Sequence, residues 1–237
     1  MCISNNSSIS SQFDRKHTRT LFIIGLIGGI MTFIGDWLIG YGVYDESLTG
    51  IARKLLQYPT LSDSRIFWSA FLGLIGISLE GLCYLGIYRL INNVKMANIF
   101  RIGVFGYMLF AACGVHVPCL STVFFYKHMM LTAPDTALDI SIKFGEYFLL
   151  PALILFFIFF IIMNIGQISA FAKGNTPYPK WCWIFNVPVG MAVTMLLKFT
   201  GNHAVSNGLT AAWISIGNIW MFVGLLLTMH KTKKGVQ

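Results

Sequence analysis

The sequence predicts an all-α fold, a polytopic transmembrane helix bundle of six spans with both termini cytoplasmic. Hydrophobic residues make up 56% of the 237-residue chain and charged residues only 11%, whereas roughly 25% of the residues in a soluble domain are charged. Apolar runs of about 20 residues, the length that crosses a bilayer core of roughly 30 Å, occur six times, with lysine and arginine collected between them. These observations exclude an ordinary soluble domain.

The chain is expected to form one membrane domain, over residues 20–230. Residues 1–19 are rich in serine and asparagine and are predicted to be disordered. Residues 47–58 carry apolar side chains at helical spacing, which predicts an amphipathic helix lying on the outer membrane surface. Pro118 and Pro151 are expected to bend the long third and fourth spans. The six spans are predicted at 20–43, 66–91, 99–126, 144–170, 181–200 and 208–229.

The basic residues predict the orientation of the chain and the kind of surface it contacts. With the N-terminus inside, the inner segments, including the basic tail 231–237, hold eleven lysine and arginine residues, and the outer loops hold five. The positive-inside rule then places both termini in the cytoplasm. These residues form no patch with interleaved aromatics, so the net charge of +8 predicts contact with membrane lipid and none with nucleic acid. The oligomeric state is left open.

Polar and charged side chains inside the spans are expected to gather in the outer half of the membrane. At 1.5 Å per helical residue, Asp36 lies roughly 25 Å and His116 roughly 22 Å from the inner face, and Glu80 lies near the midplane. A charge at the centre of a membrane helix costs about 2.5–3.5 kcal/mol on insertion scales, so such side chains usually face a cavity or a partner. The candidates for ligand binding or proton relay are Asp36, Glu80, His116, Lys198, Glu146, His203 and Asn218.

Small residues predict that the deepest of these side chains point into the bundle. Asp36 shares a helix face with Gly25 and Gly29, which form a small-xxx-small packing motif. Glu80 follows two glycines, at i−4 and i−7, and His116 follows a cysteine and an alanine, at i−3 and i−4. Because small residues usually face neighbouring helices, these three polar groups are expected to face the interior.

The three deep candidates each leave alternatives open. Asp36 either pairs with Lys198, or binds a ligand, catalyses a reaction or carries a proton, or lies in water at a shallow helix end. Glu80 is interpreted as a functional or neutral, protonated group in preference to a member of an ion pair, since no cation is near it in the sequence pattern. His116 either contacts a ligand or hydrogen-bonds to a neighbouring backbone group.

The other candidates lie nearer the membrane boundary or on the last span. Glu146 and Lys198 are close enough to the boundary to snorkel into water. His203 lies in the last outer loop, where it either caps a cavity or fills a polar turn. Ser215 and Asn218 are three residues apart in the sixth span, so their side chains are expected on the same face of the helix.

No metal or cofactor is expected. Cys113, His116 and Cys119 are residue types that bind zinc, but their spacing of i, i+3 and i+6 turns the two thiols about 120° apart on a regular helix. Bis-histidine haem needs paired histidines on two helices, and only His116 lies deep in a span. The five cysteines show no disulfide framework, and no hydrolase, metalloprotease or nucleotide-binding motif occurs in a fitting context.

The Gly35-Asp36-Trp37 sequence near the end of span one and the lone His116 in span three resemble small bacterial membrane-protein families of unknown function that share the six-span layout. The resemblance implies an integral protein of a bacterial plasma (inner) membrane, and no activity. Asp36 and Glu80 are also similar in kind to the carboxylates of the sterol isomerase and sigma-2 receptor group, which bind cationic or sterol-like ligands. Those proteins have fewer spans, so the similarity is an analogy.

Three functions therefore remain open. The first is binding or transport of a small molecule or lipid through an outward-opening polar pocket, with proton coupling through Glu80. The second is a membrane enzyme acting on a lipid-like substrate, in which Asp36 or Glu80 acts as acid or base and His116 as partner. The third is an accessory membrane subunit, in which the polar residues hold helices together.

Overall fold

The structure, a computed structural model, describes residues 14–47, 53 and 57–232. Within these residues the chain forms seven helices and no strand. In chain order the helices are α1 Arg15–Gly40, α2 Asp63–Tyr88, α3 Val94–Thr132, α4 Pro134–Ala172, α5 Val187–Thr200, α6 Ala204–Ala211 and α7 Trp213–Lys231. Two short 3₁₀ turns, Tyr58–Thr60 and Lys180–Ile184, lie between them.

Five of the helices, α1, α2, α3, α4 and α7, are long and apolar enough to cross a bilayer. They indicate an integral membrane protein and agree with the all-helical prediction. The predicted fifth span at 181–200 differs from the structure, because α5 begins only at Val187 and is shorter than a full span. The Asn186 side chain caps its first turn, with Pro188 in that turn, and its last five residues tighten into a 3₁₀ helix.

The chain ends differ in part from the expected boundaries. Asp14 caps α1 by accepting a hydrogen bond from the His17 backbone N–H, so the helix begins at Arg15 and the predicted disordered segment 1–19 extends too far along the chain. Residues 1–13 and 233–237 lie outside the described residues. The amphipathic helix predicted at 47–58 also falls mostly outside them, since only 47, 53, 57 and 58 of that range are described.

Glycines let α1 pack closely against two other helices. A Cβ at Gly28 would lie 2.7 Å from the Gly76 carbonyl oxygen of α2, and one at Gly25 would lie 2.5 Å from the Phe222 ring of α7. Side chains there would force the helices apart, which explains why the small-residue face of α1 points inward. Helix α1 thus lies between α2 and α7, while α3 pairs with α4 and α5 packs on α7.

Both prolines predicted to bend a span are preceded by a π-helical turn. The turns cover Ala111–His116 in α3 and Gly145–Leu149 in α4, two residues before Pro118 and Pro151. Proline lacks the backbone N–H and clashes with the preceding turn, and the wider turn relieves this within a continuous helix. The extra residue in the turn also rotates the rest of the helix about its axis, and His116 lies among the buried residues.

Candidate functional site

A cavity of about 450 Å³ lies between α1, α2, α3, α4 and α7. We call it the acidic cavity. Its volume falls within the roughly 300–1,000 Å³ typical of ligand pockets. Most of its wall is aliphatic and aromatic, from residues such as Leu153 and Phe157 of α4 and Ile214 of α7. Its polar groups come mainly from α1, α2, α3 and α7: Thr32, Asp36, Glu80, Tyr107, His116, Ser215 and Asn218.

Asp36 projects from the C-terminal part of α1 onto the wall of this cavity. The Ser215 hydroxyl of α7 donates a 2.5 Å hydrogen bond to its Oδ2, and its Oδ1 lies 3.9 Å from His116 Nδ1 of α3. The side chain is 21% exposed, so a molecule in the cavity can reach it. Lys198 lines a different cavity, and the Asp36–Lys198 ion pair considered as one alternative is not formed between these two described residues.

His116 is held by α2. Its Nε2 lies 3.1 Å from the Ser69 carbonyl oxygen, and because a carbonyl only accepts, Nε2 carries the proton. The ring lies directly over Gly73, where a Cβ would come within 2.0 Å of Nε2. Nε2 thus makes the backbone hydrogen bond that is one of the two alternatives for His116, while Nδ1 faces Asp36. The 3.9 Å gap between Nδ1 and Oδ1 exceeds a hydrogen bond.

Glu80 lies at the centre of a buried polar network and is 0% exposed. Its Oε2 accepts hydrogen bonds from the Tyr107 hydroxyl at 3.0 Å and from Asn218 Nδ2 at 2.7 Å. Tyr84 in turn donates to Asn218 Oδ1. The other carboxyl oxygen, Oε1, is buried and accepts no hydrogen bond within the described part of the chain; the neighbouring Thr32 hydroxyl donates to the Gly28 carbonyl instead. The Thr32 hydroxyl is thus the one side-chain donor beside Oε1 among the described residues, and it is already used by the α1 backbone.

A second cavity of about 730 Å³ lies where α1 ends, beside α6. We call it the polar chamber; its polar lining includes Tyr44, Glu46, Arg53, Lys198, Asn202 and Asn207. Arg53 lies 3.7 Å from Glu46 and over the Tyr44 ring. Burial raises the pKa of the Tyr44 phenol above its ordinary value, although the Arg53 guanidinium opposes this, so the phenol stays neutral. The chamber therefore carries charge of both signs.

Three of the predicted candidates lie outside the acidic cavity. Glu146 is exposed on the π-helical turn of α4. Lys198 is exposed at the end of α5 and lines the polar chamber. His203 is exposed, and its Nδ1 accepts the Ser206 backbone N–H at the start of α6, so it fills a polar turn. Asp36, Glu80, His116 and Asn218 line the same cavity, together with Ser215 on the same stripe as Asn218.

One family model, Family of unknown function (DUF6796), matches residues 8–232. The chain belongs to this family. Comparison with curated proteins and with solved structures finds no match. Membership agrees with the resemblance to families of unknown function and leaves the number of spans undecided. Within the described residues of this DUF6796 member, no group of three or more His, Cys, Asp or Glu side chains is placed to hold a metal ion.

The site also contains residues that sequence reasoning missed. Tyr84 and Tyr107 complete the Glu80 network, and Ser69 supplies the carbonyl that orients His116. Tyr84 follows Glu80 by four positions, a spacing that puts both on one helix face, so it was detectable. Tyr107 carries no such signal, because a tyrosine in an apolar span usually indicates an interface anchor.

The acidic cavity of this DUF6796 member presents hydrogen-bond acceptors without a lining cation. Asp36 Oδ1 accepts, and His116 Nδ1 accepts when the ring is neutral; Glu80 lies behind them, fully buried. No lysine or arginine is among the described residues that line the cavity. An apolar molecule that carries a cation or an N–H or O–H group complements this surface.

Proposed function

We propose that this chain is a six-span membrane protein, with both termini cytoplasmic, that binds and transports an amphiphilic small molecule or lipid whose head group is cationic or donates hydrogen bonds. One observation carries the proposal: Asp36, Glu80 and His116 line one apolar cavity that has no lysine or arginine among its described lining residues. Burying an uncompensated carboxylate is costly, so a cationic head group would bind there by supplying the missing charge.

The proposed topology needs α5 to cross the membrane as well, as the fifth of six spans in chain order. Its nine α-helical and five 3₁₀ residues would reach roughly 24 Å at 1.5 and 2.0 Å per residue. That is shorter than a bilayer core of roughly 30 Å, and local thinning of the bilayer accommodates a short span at modest cost. With the predicted inner location of the basic segments, the acidic cavity would lie in the outer half of the membrane of a bacterial cell.

The amphiphile would enter from the bilayer between α4 and α7. Both helices contribute residues to the lining of the acidic cavity. Helix α4 packs mainly on α3 and α7 mainly on α1 and α5, and both helices contact Lys180–Ile184. The side chains along this gap are apolar, including Leu149 and Phe157 on α4 and Ile214 on α7, so an acyl or ring system passes without losing contact with apolar groups.

The head group would bind between Asp36 and His116. A donor placed beside the two atoms, which are 3.9 Å apart, can lie at roughly 2.9 Å from both Oδ1 and Nδ1, and charge-assisted bonds of this kind are about twice as strong as neutral ones. Glu80, deeper in the cavity, would hold or release a proton as the head group arrives, which couples binding to proton movement.

Native mass spectrometry of the protein extracted from its host membrane tests the proposal. We expect an adduct of lipid or small-molecule mass on the wild type, lost in Asp36→Asn. Glu146→Gln is the matched control, because it also neutralises a carboxylate but lies on the exposed surface of α4, and it should keep the adduct. An adduct that survives Asp36→Asn would contradict the proposal. Absence of any adduct from a stable wild-type protein would favour the accessory subunit, and a chemically altered adduct would favour the enzyme.

A further inference from the structure

The acidic cavity and the polar chamber share two lining residues where α6 ends and α7 starts. Ala211, the last residue of α6, and Trp213, the first residue of α7, line both cavities. Ser215, which donates to Asp36, lies only two positions beyond Trp213. Asp36, on the wall of the acidic cavity, is therefore close to the polar chamber.

Ala211 and the neighbouring residues of α6 are held in place by close packing and hydrogen bonds. A Cβ at Gly40 would lie 2.2 Å from the Ala211 Cβ, so α6 packs directly on the backbone of α1. Asn207 Nδ2 donates to the Gly42 carbonyl and to Asn202 Oδ1. Asn202 also donates to the Tyr44 carbonyl at 2.8 Å. These bonds fix α6 against the segment after α1.

Trp213 is half-buried and packs against the hydrophobic core, but no hydrogen bond from the described residues restrains its indole. Among the described residues its indole N–H donates no hydrogen bond and its ring has no aromatic partner, whereas Trp220 donates to the Ile184 carbonyl at 2.9 Å and Trp37 packs beside two aromatic rings. The residue before Trp213, Ala212, has φ −88° and ψ 21°, outside the helical region. The side chain can thus change rotamer without breaking a hydrogen bond.

We infer that the polar chamber is the aqueous entrance of the acidic cavity and that the Trp213 side chain closes it. The identity of the molecule that enters rests on the proposed function. The opening between the polar chamber and the acidic cavity does not depend on that identity. With Trp213 displaced, the cavity is open to water on this side as well as to the bilayer between α4 and α7. With both openings, the acidic cavity connects the bilayer with the water outside the polar chamber, so a bound molecule can pass from one to the other.

Chemical modification of a cavity residue in proteoliposomes tests this inference without a ligand. The reporter is the thiol introduced by Val115→Cys, since Val115 lines the acidic cavity and not the polar chamber. A background of Cys113→Ala and Cys119→Ala removes the exposed native thiol two residues away and the native cysteine on the same cavity wall. The probe is a cationic, membrane-impermeant methanethiosulfonate. Neutral, membrane-permeant N-ethylmaleimide reaches the same thiol through the bilayer, so its labelling rate reports the reactivity of that thiol when access through the polar chamber is not needed.

We expect Trp213→Ala to raise the ratio of impermeant to permeant labelling rates by about tenfold or more, as for a closed state made predominantly open. Trp213→Phe, which keeps most of the bulk, should stay near the parent ratio. Trp68→Ala is the control for loss of a tryptophan, because Trp68 is exposed and lines neither cavity.

An unchanged ratio in Trp213→Ala, with permeant labelling intact as evidence of a folded cavity, would overturn the inference. An equal rise in Trp68→Ala would also overturn it, because the effect would then come from general loosening. Neither result bears on ligand capture by Asp36, so failure of the passage and failure of the proposed function are distinguishable.

Discussion

Gly73→Ala is expected to lower the free energy of unfolding by about 3 kcal/mol, as overpacking typically costs 1–3 kcal/mol and a lost hydrogen bond about 1 kcal/mol more. The added methyl group would lie 2.0 Å from His116 Nε2, so the ring must move away from α2. It would then lose its bond to the Ser69 carbonyl. Denaturant titration in mild detergent, followed by tryptophan fluorescence, measures the change.

Gly145→Ala is the matched control for this effect. A Cβ at Gly145 would have no atom within 4 Å, and alanine favours a helix over glycine by about 1 kcal/mol. The control should therefore be neutral or slightly stabilising. If Gly73→Ala is as well tolerated as Gly145→Ala, the His116 ring does not lie on Gly73, and the orientation of Nδ1 toward Asp36 loses its basis.

Asn218→Leu is expected to lower the free energy of unfolding by about 4 kcal/mol, because two buried groups would each lose a partner worth roughly 1–3 kcal/mol. Glu80 Oε2 would keep only the Tyr107 hydroxyl, and Tyr84 would have no acceptor. Leucine fills a similar volume, so loss of hydrogen bonds is the main change. The same denaturant titration reports it.

Asn164→Leu is the matched control, because it makes the same substitution at a buried asparagine whose amide forms only one hydrogen bond among the described residues. Asn164 is buried on α4, its Nδ2 donates to the Phe160 carbonyl one turn earlier, and its Oδ1 has no hydrogen-bond partner in the described structure. Replacing a poorly paired buried amide by an apolar side chain is nearly neutral or stabilising. Equal destabilisation by Asn164→Leu and Asn218→Leu would mean that the Glu80 network contributes nothing specific.

Much of the site can be predicted from residue spacing. Gly25, Gly29 and Asp36 recur on one face of a regular helix, and a face of small residues inside a membrane almost has to meet another helix. Glycines at i−4 and i−7 locate Glu80 in the same way. Because α1 and α2 are regular along their length, helical geometry alone is enough to direct their polar side chains inward.

The partners of these side chains could not be predicted, because they depend on which helices pack together. Asp36 and Lys198 have compatible depths along their helices, but the end of α5 tightens into a 3₁₀ turn and Lys198 lines the polar chamber. Asp36 meets Ser215 and His116 instead. The direction of His116 depends on a π-helical turn, which a regular 100° rotation per residue does not describe.

The boundaries of the short helices depend on caps that apolar periodicity does not reveal. Span six is predicted to begin at residue 208, yet α6 ends at Ala211 and α7 starts at Trp213. The break at Ala212 lies inside a continuous run of mostly apolar and small residues. The hydropathy pattern therefore predicts one helix where the chain has two, and it hides the break between Ala211 and Trp213, the two residues that line both cavities.

Selectivity of the acidic cavity for a cationic head group can be measured with two probes of equal chain length, decylamine and decanoate, on the protein in lipid nanodiscs. Isothermal titration calorimetry should show that decylamine binds the wild type and that Asp36→Asn weakens its binding by about tenfold or more, as expected for loss of a charge-assisted hydrogen bond. Decanoate should not bind measurably above the background of empty nanodiscs. Equal binding of the two probes, or unchanged binding of decylamine to Asp36→Asn, would contradict the claim that the acidic cavity selects a cationic, hydrogen-bond-donating head group.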